Sequence, residues 1–151
     1  MITSDYISVE ELLASSKNDQ AGAMVLFVGT VRNVNKEKEV SCLEYEAFKP
    51  LANKMINTII EEAKSKFNLI SAICIHRIGR LNIGDTAVVV ISVSHHRQEA
   101  YAANQFIIDH VKHETPIWKK EYWKDGTYAW GYNCNCSLPH KDLQEYLSNH
   151  E

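Results

Sequence analysis

The apolar residues of this chain keep two different spacings, and the switches between them mark out its elements. SVEELLASS (8–16) sets Ser8 and Glu11 at capping-box spacing beside Leu12 and Leu13, which predicts a short helix. AGAMVLFVGTV (21–31) is a continuous apolar run rich in β-formers, and it reads as a strand buried on both faces with Arg32 directly at its end. The polar NVNKEKEV that follows predicts a loop or an exposed hairpin tip. In VSCLEYEAF (40–48), Leu43, Tyr45 and Ala47 alternate with Glu44 and Glu46, the mark of a strand with one wet face. From Pro50 the step lengthens to four: Leu51, Met55, Ile59, Ala63 and Phe67 form a helical stripe, and proline suits the first turn.

Two more strand-like runs, ISAICIHRIG (70–79) and TAVVVISVS (86–94), bracket RLNIGD, where Gly84 and Asp85 supply turn chemistry. HRQEAYAANQFIIDHVK (96–112) returns to helical spacing through Ala100, Ala103, Ile107 and Val111, with Ser94 available as N-cap. Pro116 stops it. Ile117 to about Trp130 is aromatic and extended, with Trp118 and Trp123 expected to be largely buried. Helix, two strands, helix, two strands predicts an α+β fold, a largely antiparallel sheet with helices packed on one face.

Length changes this picture only by limiting it: 151 residues make a single domain, 1–151, and so one site or one shared between copies. No apolar run approaches the roughly 18 residues of a spanning helix, and the start has no cationic-then-apolar signal, so no membrane is expected. Four cysteines amid an ordinary core composition point to a reducing, cytoplasmic setting rather than a disulfide framework. The net charge of −3 sets nucleic acid aside, so any anion must be met by a local cluster of cations.

Three such clusters occur at structure-breaking points: Arg32 at a strand end, His96-Arg97 at a helix start, and Lys112 with Lys119-Lys120 at and beyond that helix's end. A helix start already favours anions through its free N–H groups and dipole, and an arginine fork matches phosphate or carboxylate. The plain alternatives are solvated first-turn side chains at 96–97 and a surface ion pair of Arg32 with Glu44 or Glu46. Lysines more often shield apolar surface with their stems. Here, neighbouring cations beside buried rings would depress a lysine pKa and suit it to acid–base, nucleophilic or phosphate-clamping work. Strand alternation lets only one of Lys119 and Lys120 enter a pocket.

Metal binding is the rival chemistry. His110 and His113 lie three apart on a helix, and Cys134-Asn-Cys136 precedes His140, but C-x-C with one distant histidine falls short of a zinc site, and no metal is expected. Cys42 and Cys74 read as core fillers. Neither a Gly-rich phosphate loop nor a Ser-His-Asp order is present.

With these residues in view, the chain resembles the large, MoaE-type subunit of molybdopterin synthase from about Ala21 to Trp130. The resemblance rests on GAMVLFVGTVRN, LEYEAF, HRIGRLNIGD, SHHRQEAYAANQFIIDHVK and PIWKKE in that order, while 131–151, with CNCSLPH, diverges. It implies the family's cytoplasmic α/β hammerhead fold and a homodimer within a heterotetramer. It also implies a small ubiquitin-like sulfur-carrier (MoaD-type) subunit whose C-terminal glycine thiocarboxylate delivers sulfur to cyclic pyranopterin monophosphate, making the molybdopterin dithiolene without a cofactor. Residue by residue, it implies Lys112 and Lys119 as catalytic lysines, and Arg32, His96, Arg97, Lys120 and Glu121 as substrate contacts. A non-catalytic anion- or nucleotide-binding module of the same fold is the alternative, and both lysines at their expected places argue against it. If 96–112 is one helix, His96 and Lys112 stand about 24 Å apart, too far for one pterin monophosphate, so one pocket would draw on both chains of a dimer.

Overall fold

The computed structural model describes residues 1–132. It is an α+β structure with the element order β1 (Ile2–Thr3), α1 (Val9–Ser15), β2 (Ala23–Thr30), β3 (Val34–Asn35), β4 (Lys38–Ala47), α2 (Lys49–Lys66), β5 (Ser71–Arg77), β6 (Gly79–Asn82), β7 (Thr86–Ser94), α3 (Arg97–Glu114), β8 (Ile117–Trp123) and β9 (Tyr128–Tyr132). The strands form two sheets. One runs β1-β5-β7-β2; the other runs β3-β4-β8-β9, with β6 also paired to β4. All pairings but the short parallel β1–β5 are antiparallel.

The two-sided burial expected of 21–31 belongs to β7 instead. Every residue of β7 after Thr86 is buried, because β5 and β2 flank it and both of its faces are covered. β2 lies at the sheet edge and is only partly buried, with Leu26 37% exposed; an apolar run alone does not say which strand is central. The long helices α2 and α3 cover one face over Val88 and Val90, as the pattern predicts. The short α1 packs Leu12 and Leu13 against Val89, Ile91 and Val93 on the other face, because β7 is apolar at every position and leaves two faces to bury. The stretch read as a turn, RLNIGD, in fact holds a strand, β6, before turning at Gly84, whose φ of +86° suits glycine.

Local chemistry sets the ends of these elements. Ser8 caps α1 by accepting from the Glu11 N–H, and Pro50 sits in the first turn of α2. The polar stretch after Arg32 is a hairpin tip: Asn35 pairs with Lys38, and Lys36 and Glu37 both take positive φ, as a two-residue primed turn requires. Ser94 does not cap α3. Its hydroxyl donates to the His96 carbonyl, the chain stays extended through His96, and His96 is the N-cap with no side-chain cap bond. The first-turn N–H groups therefore lack a side-chain acceptor there.

Two polar pins fix how α3 lies on its sheet. Buried Asn104 donates to the carbonyls of Val25 and Val90, and Ser92 donates to the Ala100 carbonyl. Rolling the helix would orphan these groups, so its C-terminal turn, with Lys112, is held in place. No helix among the described residues is long and apolar enough to cross a membrane.

Candidate active site

Strand β8 carries the pattern that makes the site. Ile117, Lys119, Glu121 and Trp123 face inward while Trp118, Lys120 and Tyr122 face out, so an apolar face is interrupted by two charges. Antiparallel pairing with β4 sets Lys119 opposite Tyr45 and Glu121 opposite Leu43. The two charges satisfy each other: Lys119 Nζ lies 2.9 Å from Glu121 Oε1, with side chains 16% and 12% exposed. Exposure this low makes both charges costly to desolvate, so the pair holds only where its remaining donors and acceptors find partners.

One of those partners comes from the hairpin. Asn35 Nδ2 donates to Glu121 Oε1 at 2.6 Å, and Arg32 Nη2 donates to Asn35 Oδ1 at 2.9 Å. Arg32 is itself placed by the 82–85 turn, since Val31 donates to the Asp85 carbonyl and accepts from the Gly84 N–H. Arg32, Asn35, Glu121 and Lys119 therefore form one continuous polar chain from the exposed hairpin into the buried face.

Lys112 approaches from the last turn of α3. The helix continues to Glu114 and stops where Thr115 adopts extended backbone before Pro116. Burial depresses the Lys112 amine from its usual 10.5 to about 8, the positive charge of Lys119 adds to this, and Cys74 opposes it. Behind the lysines, the Cys74 thiol is pushed up to about 11 by burial, with the N-terminal ammonium and Lys112 opposing. Tyr45 is pushed up to about 12 by burial and by the Glu121 carboxylate, and its ring meets His76 edge-on with centroids 5.0 Å apart. Neither Cys74 nor Tyr45 gives up its proton near neutrality, whereas the Lys112 amine is brought closer to exchange there.

The fold thus brings Arg32, Lys112, Lys119 and Glu121 together. It does not bring Lys120 to them: Lys120 Nζ stands on the outer face, 4.1 Å from the Tyr128 ring centroid and 4.9 Å from that of Tyr122. The two lysines therefore face opposite ways, as strand alternation predicts. Trp118 is 39% exposed rather than largely buried, because alternation turns it outward with Lys120. Trp123 is half-buried under Lys38, whose Nζ lies 4.2 Å from its ring.

His96 and Arg97 are exposed at the opposite end of α3, 16 and 15 residues before Lys112, so about 24 and 22 Å away along the axis. The segment just before them packs tightly against the start of the apolar run. Gly22 donates its N–H to the Ser94 carbonyl, and a Cβ at Gly22 would come within 2.2 Å of the His95 carbonyl oxygen, so only glycine lets the two segments meet. Sequence reading missed Asn35, whose role depends on hairpin register, and the Tyr45–His76 contact, which depends on two sheets meeting. Among the described residues no group of three His, Cys, Asp or Glu could hold a metal ion; His110 bonds the Phe106 carbonyl through Nδ1. Cys134, Cys136 and His140 lie outside the described residues.

The family model described as MoaE protein matches residues 2–114. Over 125 residues the chain is 43% identical to the molybdopterin synthase catalytic subunit of Bacillus subtilis (strain 168), covering 83% of this chain and 80% of that one. It is 41% identical over 130 residues to the same-named subunit of Nostoc sp. (strain PCC 7120), with 85% and 79% covered. Among solved structures, molybdopterin synthase from Staphylococcus aureus superposes with a TM-score of 0.81 at 38% identity, over 86% of this chain and 94% of that one. A complex of subunits 1 and 2 of molybdopterin-converting factor from Helicobacter pylori 26695 shares the fold, with a TM-score of 0.70 at 22% identity over 91% and 92% of the two chains. Likeness of this extent in sequence and in fold establishes that the chain belongs to the MoaE protein family.

Proposed function

We propose that this chain is the catalytic subunit of a molybdopterin synthase, moving sulfur from the C-terminal thiocarboxylate of a small carrier subunit onto cyclic pyranopterin monophosphate. The observation that carries the reading is the meeting of two lysines on one partly buried face, Lys112 from the end of α3 and Lys119 locked to Glu121, where burial brings the Lys112 amine down to about 8. The two lysines then divide the work. The thiocarboxylate sulfur attacks a pterin carbon, a C–S bond forms and a C–O bond breaks, and the departing oxygen takes a proton; water then cleaves the resulting thioester at its acyl carbon, which frees the carrier as a carboxylate and leaves the sulfur on the pterin. Lys112 as ammonium supplies that proton, because a donor tuned close to ambient pH releases it readily. Lys119, held in place by Glu121, offsets the carboxylate-like charge of the carrier tail and the developing oxyanion. Arg32 holds the phosphate as its cyclic ester opens. The test is reconstitution: this chain, a thiocarboxylated carrier and the cyclic precursor are expected to yield the dithiolene, and carrier that binds without product would overturn the reading.

The 24 Å between His96 and Lys112 extends the proposal to the dimer. One pocket takes His96 and Arg97 from one chain and Arg32, Lys112 and Lys119 from its mate. Mixing a His96→Ala chain with a Lys119→Ala chain is then expected to restore activity, since half of the pockets in each mixed dimer carry neither change. Inactive mixtures, with subunit exchange demonstrated by differently tagged chains, would mean that each pocket is built from one chain.

A further inference from the structure

We propose that Asn35 is a positioning residue that insulates Arg32 from Glu121, keeping the guanidinium free for an anionic substrate group and the carboxylate committed to Lys119. The inference rests on the sulfur-transfer reading of this site and deepens it. A guanidinium can only donate and a carboxylate can only accept, so the two bonds to Asn35 fix its amide orientation: Oδ1 toward Arg32 at 2.9 Å, Nδ2 toward Glu121 at 2.6 Å. Both charged groups reach for the same side chain from opposite sides. Remove that spacer and they are opposite charges with a gap between them, in a site where Glu121 is 9% exposed and poorly screened. A fork-on-carboxylate pair would then form. It would neutralise the cation meant for the substrate phosphate and draw the carboxylate away from Lys119 Nζ, now 2.9 Å from Oε1. A neutral amide is the side chain that bonds both partners without adding charge. The hairpin presents it by register: Asn35 pairs with Lys38 immediately before the two positive-φ turn residues.

The test uses the full chain with carrier and pterin precursor, measuring kcat and KM separately. Asn35→Ala is expected to raise the precursor KM at least fivefold and to lower kcat about threefold, with carrier affinity unchanged and melting temperature little changed, because Arg32 takes over the place at Glu121 that the Asn35 amide gives up. Adding Arg32→Ala to it is expected to raise KM no further than Arg32→Ala alone, since the guanidinium is already lost to the carboxylate. Asn35→Gln, which keeps both bonding groups one methylene further out, is expected to recover part of the KM. Wild-type KM in Asn35→Ala, or full multiplication of the two effects in the double variant, would overturn the inference. A wild-type chain that makes no product would instead count against the sulfur-transfer reading itself.

Discussion

Lys119→Ala is expected to lower the rate of dithiolene formation by at least about a hundredfold, the size of effect seen when a fixed charge-stabilising donor is removed from an active site. Two losses combine. The charge offsetting the thiocarboxylate and the leaving oxygen disappears, and Lys112 loses the neighbour that helps depress its amine. The second loss has its own signature. With Lys112 as the proton donor, wild-type activity should fall as pH rises through about 8. In Lys119→Gln that falling limb should move to higher pH, because removing a positive neighbour makes the ammonium easier to keep. The substitution also takes the ammonium from Glu121, which keeps the Asn35 amide, at a stability cost of about 1–3 kcal/mol, so carrier binding and thermal melting must be measured beside the rate. Activity within tenfold of wild type, in a variant that folds and binds carrier, would remove Lys119 from the chemistry.

Much of this site could be read along the chain, because its cations sit where elements begin and end. Pro116 after a helical stripe, Arg32 after an apolar run and Lys119-Lys120 within an alternating strand each tie a charge to a rigid end, whereas Glu121, which bonds Asn35 and Lys119, is legible only through the family resemblance. What could not be read depends on pairing across distant segments. Nothing local distinguishes the edge strand β2 from the central β7, since both are apolar runs and burial is decided by neighbours. Asn35 looks like one more loop amide until the hairpin register aims it at a residue 86 positions away. A large apolar ring such as that of Trp118 is expected inside, yet the alternation that brings Lys119 in necessarily turns Trp118 out. The depression of the Lys112 amine was legible only in kind. Its main cause is burial under the meeting of two sheets, which no spacing rule supplies.

That burial makes Lys112 a burden on the fold, and Lys112→Met should abolish activity while making the protein more stable. The folded state holds the amine at about 8 against an ordinary 10.5 in the unfolded chain, so the unfolded chain binds the proton more tightly. Below pH 8 both states are protonated and the fold carries the whole penalty, about 3 kcal/mol at roughly 1.4 kcal/mol per pKa unit. Between pH 8 and 10.5 the folded amine loses its proton first, and wild-type stability rises; above 10.5 both states are neutral and the penalty is gone. Methionine keeps most of the unbranched stem and lacks the charge, so it should fill the same space without the penalty. Urea denaturation at pH 7 is expected to find Lys112→Met about 1–3 kcal/mol more stable than wild type, the lower end allowing for polar contacts that Lys112 gives up. Taking the difference between variant and wild type removes the titrating groups that do not interact with Lys112, so the advantage itself should shrink across pH 8 to 10.5. A variant less stable than wild type at pH 7 would mean that the contacts of Lys112 outweigh its desolvation. A variant that is more stable and inactive would mark Lys112 as a residue the fold carries for its chemistry, and explain why α3 is pinned so firmly by Asn104 and Ser92: the helix must hold a charge where the core resists one.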